Sequence, residues 1–121
     1  MIIADTSVWV AHLRQPTAVL AERLHNSGVL MHPFVLGELA LGGVSASTLK
    51  MLMDLPRCCV ASPDEVLVLV ETARLTGRGI GYVDAHLIAS ARMALDTRLW
   101  SLDQKLSAVA AALGLAYAPD V

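Results

Sequence analysis

The chain opens Met1-Ile2-Ile3-Ala4-Asp5-Thr6-Ser7-Val8-Trp9, and the fold turns on how that stretch is read. Its apolar residues run without polar alternation, the pattern of a strand covered on both faces in a parallel sheet. The run stops at a carboxylate. Thr6-Ser7 then opens a helix reaching about Arg14. A strand over 2–5 is therefore expected to deliver Asp5 at its carboxyl end, where open α/β sheets bind their ligands.

Outward from there, Pro16 restarts a helix over 17–26, and Gly28 ends it before the short strand Val29-Leu30-Met31. After the break His32-Pro33, a helix over 34–41 stops at Gly42-Gly43. Ser45 or Ser47 caps the next helix, which ends before Pro56. Cys58-Cys59-Val60 reads as a further strand. Ser62-Pro63-Asp64-Glu65 carries the signals of a helix start: a Ser cap, Pro at the first helical position and Glu at capping-box spacing. A glycine-rich connector, 77–81, leads to a helix over 83–95. A strand over 98–101, a helix over 103–113 and a terminal strand at Ala116-Tyr117 complete the pass. Strands alternating with helices predict one α/β domain over 1–121, with helices on both faces of a parallel sheet of four to five strands. No internal repeat or linker interrupts it.

Four acids stand apart from ordinary surface charge. Asp5 and Asp103 each follow a strand, while Glu38 and Asp84 lie on helices. Three and four positions from Glu38 are Phe34, Val35, Leu41 and Gly42, and from Asp84 they are Ile80, Gly81, Leu87 and Ile88. Residues at those separations share a helix face, so both acids are expected on the inward, apolar side. Each has a plainer explanation by itself: Asp5 and Asp103 as helix caps, Glu38 or Asp84 paired with a buried Arg. Together they are harder to explain, because two carboxylates ~4 Å apart repel by about 4 kcal/mol at an effective dielectric near 20. A divalent cation reverses that repulsion, and all-oxygen ligation favours Mg²⁺ or Mn²⁺ over zinc. The pattern implies a metal-dependent enzyme acting on phosphates.

The formal net charge of −2 argues against a nucleic-acid partner at first sight. Setting the four acids aside turns the balance positive, and all but two of the nine basic residues (Lys50 and Lys105) are Arg, the better bidentate phosphate ligand. Hydrophobic residues make up 55% and charged ones 17%. That is rich for a domain of 121 residues, so part of the apolar surface is expected on a subunit or partner interface. No stretch is long and apolar enough to span a membrane, and no basic region precedes the first apolar run as in a signal peptide. The adjacent Cys58 and Cys59 read as two small buried residues in a reducing cytoplasm.

The segments Ile3-Ala4-Asp5-Thr6-Ser7-Val8-Trp9, His32-Pro33-Phe34-Val35-Leu36-Gly37-Glu38-Leu39-Ala40-Leu41-Gly42, Val83-Asp84-Ala85-His86-Leu87-Ile88-Ala89-Ser90-Ala91 and Leu99-Trp100-Ser101-Leu102-Asp103 resemble, in order, the motifs of PIN-domain proteins. The likeness is closest to the VapC toxins of bacterial toxin–antitoxin pairs and covers nearly the whole chain. It implies a three-layer α/β/α sandwich, endoribonuclease activity dependent on Mg²⁺ or Mn²⁺, and a homodimer inhibited by a small antitoxin. By position, Asp5, Glu38, Asp84 and Asp103 match the family's acidic quartet, and Thr6 or Ser7 its polar residue after the first Asp. Ser101 stands where Thr is frequent and keeps the hydroxyl. On this reading Asp5 and Asp103 ligate metal directly, Asp84 directly or through water, and Glu38 orients or deprotonates the nucleophile. Ser7 donates a hydrogen bond to phosphate or simply opens its helix.

Two rival classes remain at this point. A phosphatase with an Asp nucleophile usually carries Asp-x-Asp, but Ser7 occupies the second acid's place. A non-catalytic RNA- or partner-binding module would use the acids to hold a structural cation. His12, His25, His32 and His86 lack metal spacing and read as ordinary structural or surface residues. Trp9 and Trp100 read as core or interface, not as base-stacking platforms. The apolar surplus over 34–55 is either plain core or a groove for a partner helix. Arg14 and Arg78 are the open candidates for RNA contact, Arg78 from an otherwise flexible connector.

Overall fold

The computed structural model describes residues 1–119. Its strands β1 (Ile2–Ala4), β2 (Val29–Leu30) and β3 (Arg98–Trp100) form a parallel sheet in the order β2-β1-β3. Ile3 pairs with Leu30 on one side and Leu99 on the other. β1 is buried throughout, as its unbroken apolar run requires. Among the described residues the expected count of four to five strands is corrected to three. Beyond each edge the ladder continues only as an isolated bridge, Met31 with Arg57 and Leu99 with Ala116. The segments at Cys58 and Ala116 do run alongside the sheet, but a single bridge is too short to count as a strand.

Among the described residues seven helices flank the sheet: α1 (Thr6–Arg14), α2 (Ala18–His25), α3 (Pro33–Leu41), α4 (Ala46–Met53), α5 (Pro63–Thr72), α6 (Tyr82–Met93) and α7 (Gln104–Ala112). Their starts follow the local chemistry. Ser45 caps α4 through Thr48 N–H, and Ser62 with Glu65 forms the full capping box of α5. α1 packs on β1, and α6 and α7 on β3. α3 lies against α1 and α4, and α5 against α6. Ile3, Trp9, Leu39, Ile88 and Leu106 are at the centre of the core, and Trp100 is buried beside Tyr117. Both tryptophans are core residues, as expected. Of the cysteines, Cys58 is buried with its thiol pKa pushed up by burial, but Cys59 is exposed, against the expectation for the pair. No helix among the described residues is long and apolar enough to cross a membrane.

This topology selects one place for a site. The chain leaves β1 toward β2 on one side, and leaves β3 toward the Ala116 bridge on the other. Connections that depart in opposite directions open a crevice beyond the strands' carboxyl ends. Asp5 follows β1 there, and Ser101 to Asp103 follow β3.

Candidate active site

Asp5 is the buried anchor of the crevice. Its backbone N–H still donates to Trp100 O at 3.0 Å, so the sheet fixes the position of its Cα. Its side chain caps α1, with Oδ1 accepting Val8 N–H at 3.1 Å. The Ser7 hydroxyl donates to the same oxygen, and the Ser101 hydroxyl donates to Oδ2. Those serines reach back to the β3 exit: Ser7 Oγ accepts Leu102 N–H at 3.0 Å, and Ser101 Oγ accepts Asp103 N–H at 2.9 Å. Two hydroxyls therefore lock the end of β1 to the end of β3. Asp103 in turn caps α7, its Oδ1 taking Lys105 N–H at 2.8 Å and Leu106 N–H at 3.0 Å. The capping explanation holds for both Asp5 and Asp103. It does not use up their capacity, since a carboxylate has about four acceptor positions.

The other two acids approach from helices. Thr6 Oγ1 donates to Glu38 Oε1 at 2.7 Å, bringing α3 to the start of α1. Asp84 Oδ2 accepts Gly81 N–H at 3.0 Å, closing the first turn of α6. The Asp84 carboxyl is held above its ordinary pKa by burial first and then by the charges of Asp5, Asp103 and Glu38, although the Gly81 bond pulls the other way. Every charge acting on it is another member of the quartet. The fold thus brings Asp5, Asp103 and Glu38 within electrostatic reach of Asp84, and the alternative of an Arg partner for Asp84 is not what the structure shows.

One expectation needs correction. Glu38 is exposed, and Asp84 is only half-buried, so neither packs inward as the helical spacing implied. Asp103 is exposed as well. The crevice has a buried floor at Asp5 and an open rim. Solvent lowers the cost of gathering these charges.

The serines differ from their expected parts. Ser7 spends its proton on Asp5, so its hydroxyl orients the carboxylate and the Leu102 turn. Ser101, noted in the sequence only as a substitute for Thr, is a structural partner of equal rank. Its signal was its place two residues before Asp103. The histidines also hold a surprise. His32 and His86 are both buried, with ring centroids 6.4 Å apart, and Phe34 packs against both. His32 Nδ1 accepts Phe34 N–H at 3.0 Å and caps α3, so the proton of the neutral ring sits on Nε2. Among the described residues His32 Nε2 and His86 Nδ1 have no hydrogen-bond partner.

No protein-family model matches this chain. Two curated relatives do, along its whole length. Each is named Ribonuclease VapC32, from Mycobacterium tuberculosis strains CDC 1551 / Oshkosh and H37Rv, and is 44% identical over 123 residues, covering 100% of this chain and 99% of the relative. The chain belongs to the VapC ribonuclease family. The resemblance read from the four motifs is borne out. Among solved structures, PAE2754 from Pyrobaculum aerophilum superposes with a TM-score of 0.58 at 18% identity, covering 89% of this chain and 78% of that one. That likeness supports the α/β fold alone.

The donor set of this VapC-family site suits a hard cation: carboxylates and hydroxyls, with no thiolate or imidazole among them. The pKa of Asp84 is raised mainly by burial, with a smaller part from the charges of Asp5, Asp103 and Glu38 that such an ion would offset. Among the described residues, no group of three or more His, Cys, Asp or Glu side chains is drawn together as a closed metal site. The acids are neighbours in charge, with their rim side chains apart.

Proposed function

We propose that the chain is a Mg²⁺- or Mn²⁺-dependent endoribonuclease, the toxin of a toxin–antitoxin pair. The reading rests on one conjunction: full-length 44% identity to proteins named Ribonuclease VapC32, and three acids whose charges act on Asp84 at the sheet's topological switch point. A phosphatase is disfavoured because the place two residues after Asp5 holds Ser7, whose proton goes to Asp5. No general acid stands there.

In this mechanism Asp5 and Asp103 would hold the cation, and Asp84 would complete the set directly or through water. When bound, the cation supplies charge for the phosphate oxygens and acidifies water. The remaining work belongs to the chain. Ser7 and Ser101 fix the Asp5 oxygens, so the anion does not reorganise when an RNA phosphate arrives. Glu38 is steadied at one oxygen by Thr6 and takes a proton from the attacking water with the other. The open rim admits single-stranded RNA.

Two uncovered apolar regions support the expected protein partners. A groove of about 250 Å³ between α1 and the α3–α4 connection is lined by Val10, Leu13, Leu39 and Val44, with Arg14 and Glu38 at its edge. It fits an apolar segment of an antitoxin that would lie close to Glu38 and block the site. On the opposite region, Leu67 and Val68 of α5 and Met93 of α6 are exposed, and a homodimer would cover them.

The decisive experiment compares RNA cleavage by the parent chain and Asp5→Asn with Mg²⁺, Mn²⁺ and EDTA. Cleavage by the parent alone, abolished by EDTA, is the expected result. Equal cutting by both proteins would assign the activity to a contaminant, and release of phosphate from an aryl phosphate without RNA cleavage would favour the phosphatase.

A further inference from the structure

Lys105 lies on the second residue of α7, and its own N–H is one of the two held by Asp103 Oδ1. Its side chain stays exposed but does not simply run outward. It folds across Gly79 of the connector before α6, so closely that a Cβ added at Gly79 would stand 2.7 Å from Lys105 Cδ and 3.2 Å from Nζ. Gly79 also has φ +78°, a backbone conformation that side-chain-bearing residues rarely adopt. The backbone angle by itself favours glycine here, whereas the flexible end of the lysine would have to shift to admit a Cβ.

The contact joins the two rims of the crevice. Lys105 is two residues beyond Asp103. Gly79 is two residues before Gly81, whose N–H is held by Asp84. The ammonium is thus seated between the segments that carry Asp103 and Asp84. The ammonium stays exposed between these two segments and is open to an incoming anion. Lying along the glycine seat narrows its rotamers before any ligand binds, which lowers the ordering cost of a contact. Neighbouring Arg78 is exposed on the same connector.

We propose that Lys105, seated on Gly79, is a substrate-positioning residue that grips a backbone phosphate of the RNA next to the one being cut. Gly79 acts through Lys105, by leaving room for its stem. The inference rests on the ribonuclease reading above, and its test keeps the two apart.

The test uses the full chain and a short single-stranded RNA. Cleavage kinetics are measured with Mn²⁺, and RNA binding is measured by fluorescence anisotropy in EDTA across a salt series. Lys105→Ala should raise KM about two- to fivefold with kcat nearly unchanged, the range of an exposed ion pair. It should also lower the slope of log affinity against log salt by about 0.7, the loss of one single-strand phosphate contact. Lys105→Arg should restore most of the slope. Gly79→Ala should reproduce the Lys105→Ala defect and add nothing to it in the double variant. An unchanged salt slope and KM in Lys105→Ala overturns the proposal while cleavage by the parent stands. A parent that neither binds nor cuts RNA overturns both readings. Because Lys105→Ala leaves the backbone alone, a fold failure of Gly79→Ala does not rescue the proposal.

Discussion

Asp5 and Asp103 stand at strand ends and are tied into a continuous hydrogen-bond lattice, whereas Glu38 and Asp84 stand on helices with one bond each among the described residues. The sheet half of the crevice is built before any ligand arrives. The helix half is held loosely and is where the repulsion accumulates. A site that must accept a hydrated cation and a long anion gains from this division, because one wall supplies fixed ligands and the other can adjust.

If that contrast is right, the largest losses come from the sheet half. Asp5→Asn and Asp103→Asn both keep an acceptor for the helix N–H groups and should fold normally, since Asn caps about as well as Asp. Each should nonetheless lose more than about a hundredfold in RNA cleavage, beyond the 10–100-fold typical of groups that only support a metal ligand. Normal circular dichroism with normal activity would reduce both acids to caps. One rank lower, Ser101→Ala removes a donor from Asp5 and an acceptor from Asp103 N–H, and should cost about 10–100-fold. On the helix half, Thr6→Ala removes a single bond to Glu38 and should cost only about two- to tenfold. Equal losses in the two alanine variants would erase the distinction between the walls.

How much of this could be read from the chain depends on the region. The switch-point acids were legible because an unbroken apolar run followed by a carboxylate and a helix start fixes both the strand and its exit. Asp84 was legible through the strong helix after it. The facing of Glu38 was not. α3 is apolar nearly all round, with Phe34 and Leu41 also exposed (Leu41 by 91%), so apolar neighbours at helical spacing said nothing about which way was inward. The outer strands misled for a related reason: a single bridged residue carries no alternation. His32 and His86, far apart in sequence, show no local sign that they would meet beneath the helix half.

Two smaller effects sharpen the comparison through stability. Asp84 has a raised pKa in the fold, so its ionised form is penalised at neutral pH and the penalty fades as pH falls through that raised value. Asp84→Asn should therefore weaken cleavage less than Asp5→Asn does, yet raise the melting temperature in EDTA by about 1–3 °C, modest because the carboxyl is only half-buried. A structural acid would show the reverse. His32, by contrast, has its pKa lowered to about 4 by burial first and then by His86. The folded state binds fewer protons than the unfolded chain below the ordinary value of 6.5. Stability should be full above pH 6.5 and decline steadily toward pH 4. His32→Asn, which keeps a cap for α3, should flatten that decline in a melting series across the range.

The claim beneath all of these is that the four acids form a single cation site with its fixed wall at the strand ends. An anomalous difference map from a crystal of the parent chain grown in Mn²⁺ tests it most directly. The account predicts a peak in contact with carboxylate oxygens of Asp5 and Asp103, with Asp84 drawn toward it. A crevice without a peak at saturating Mn²⁺, or a peak that leaves Asp5 untouched, would contradict it.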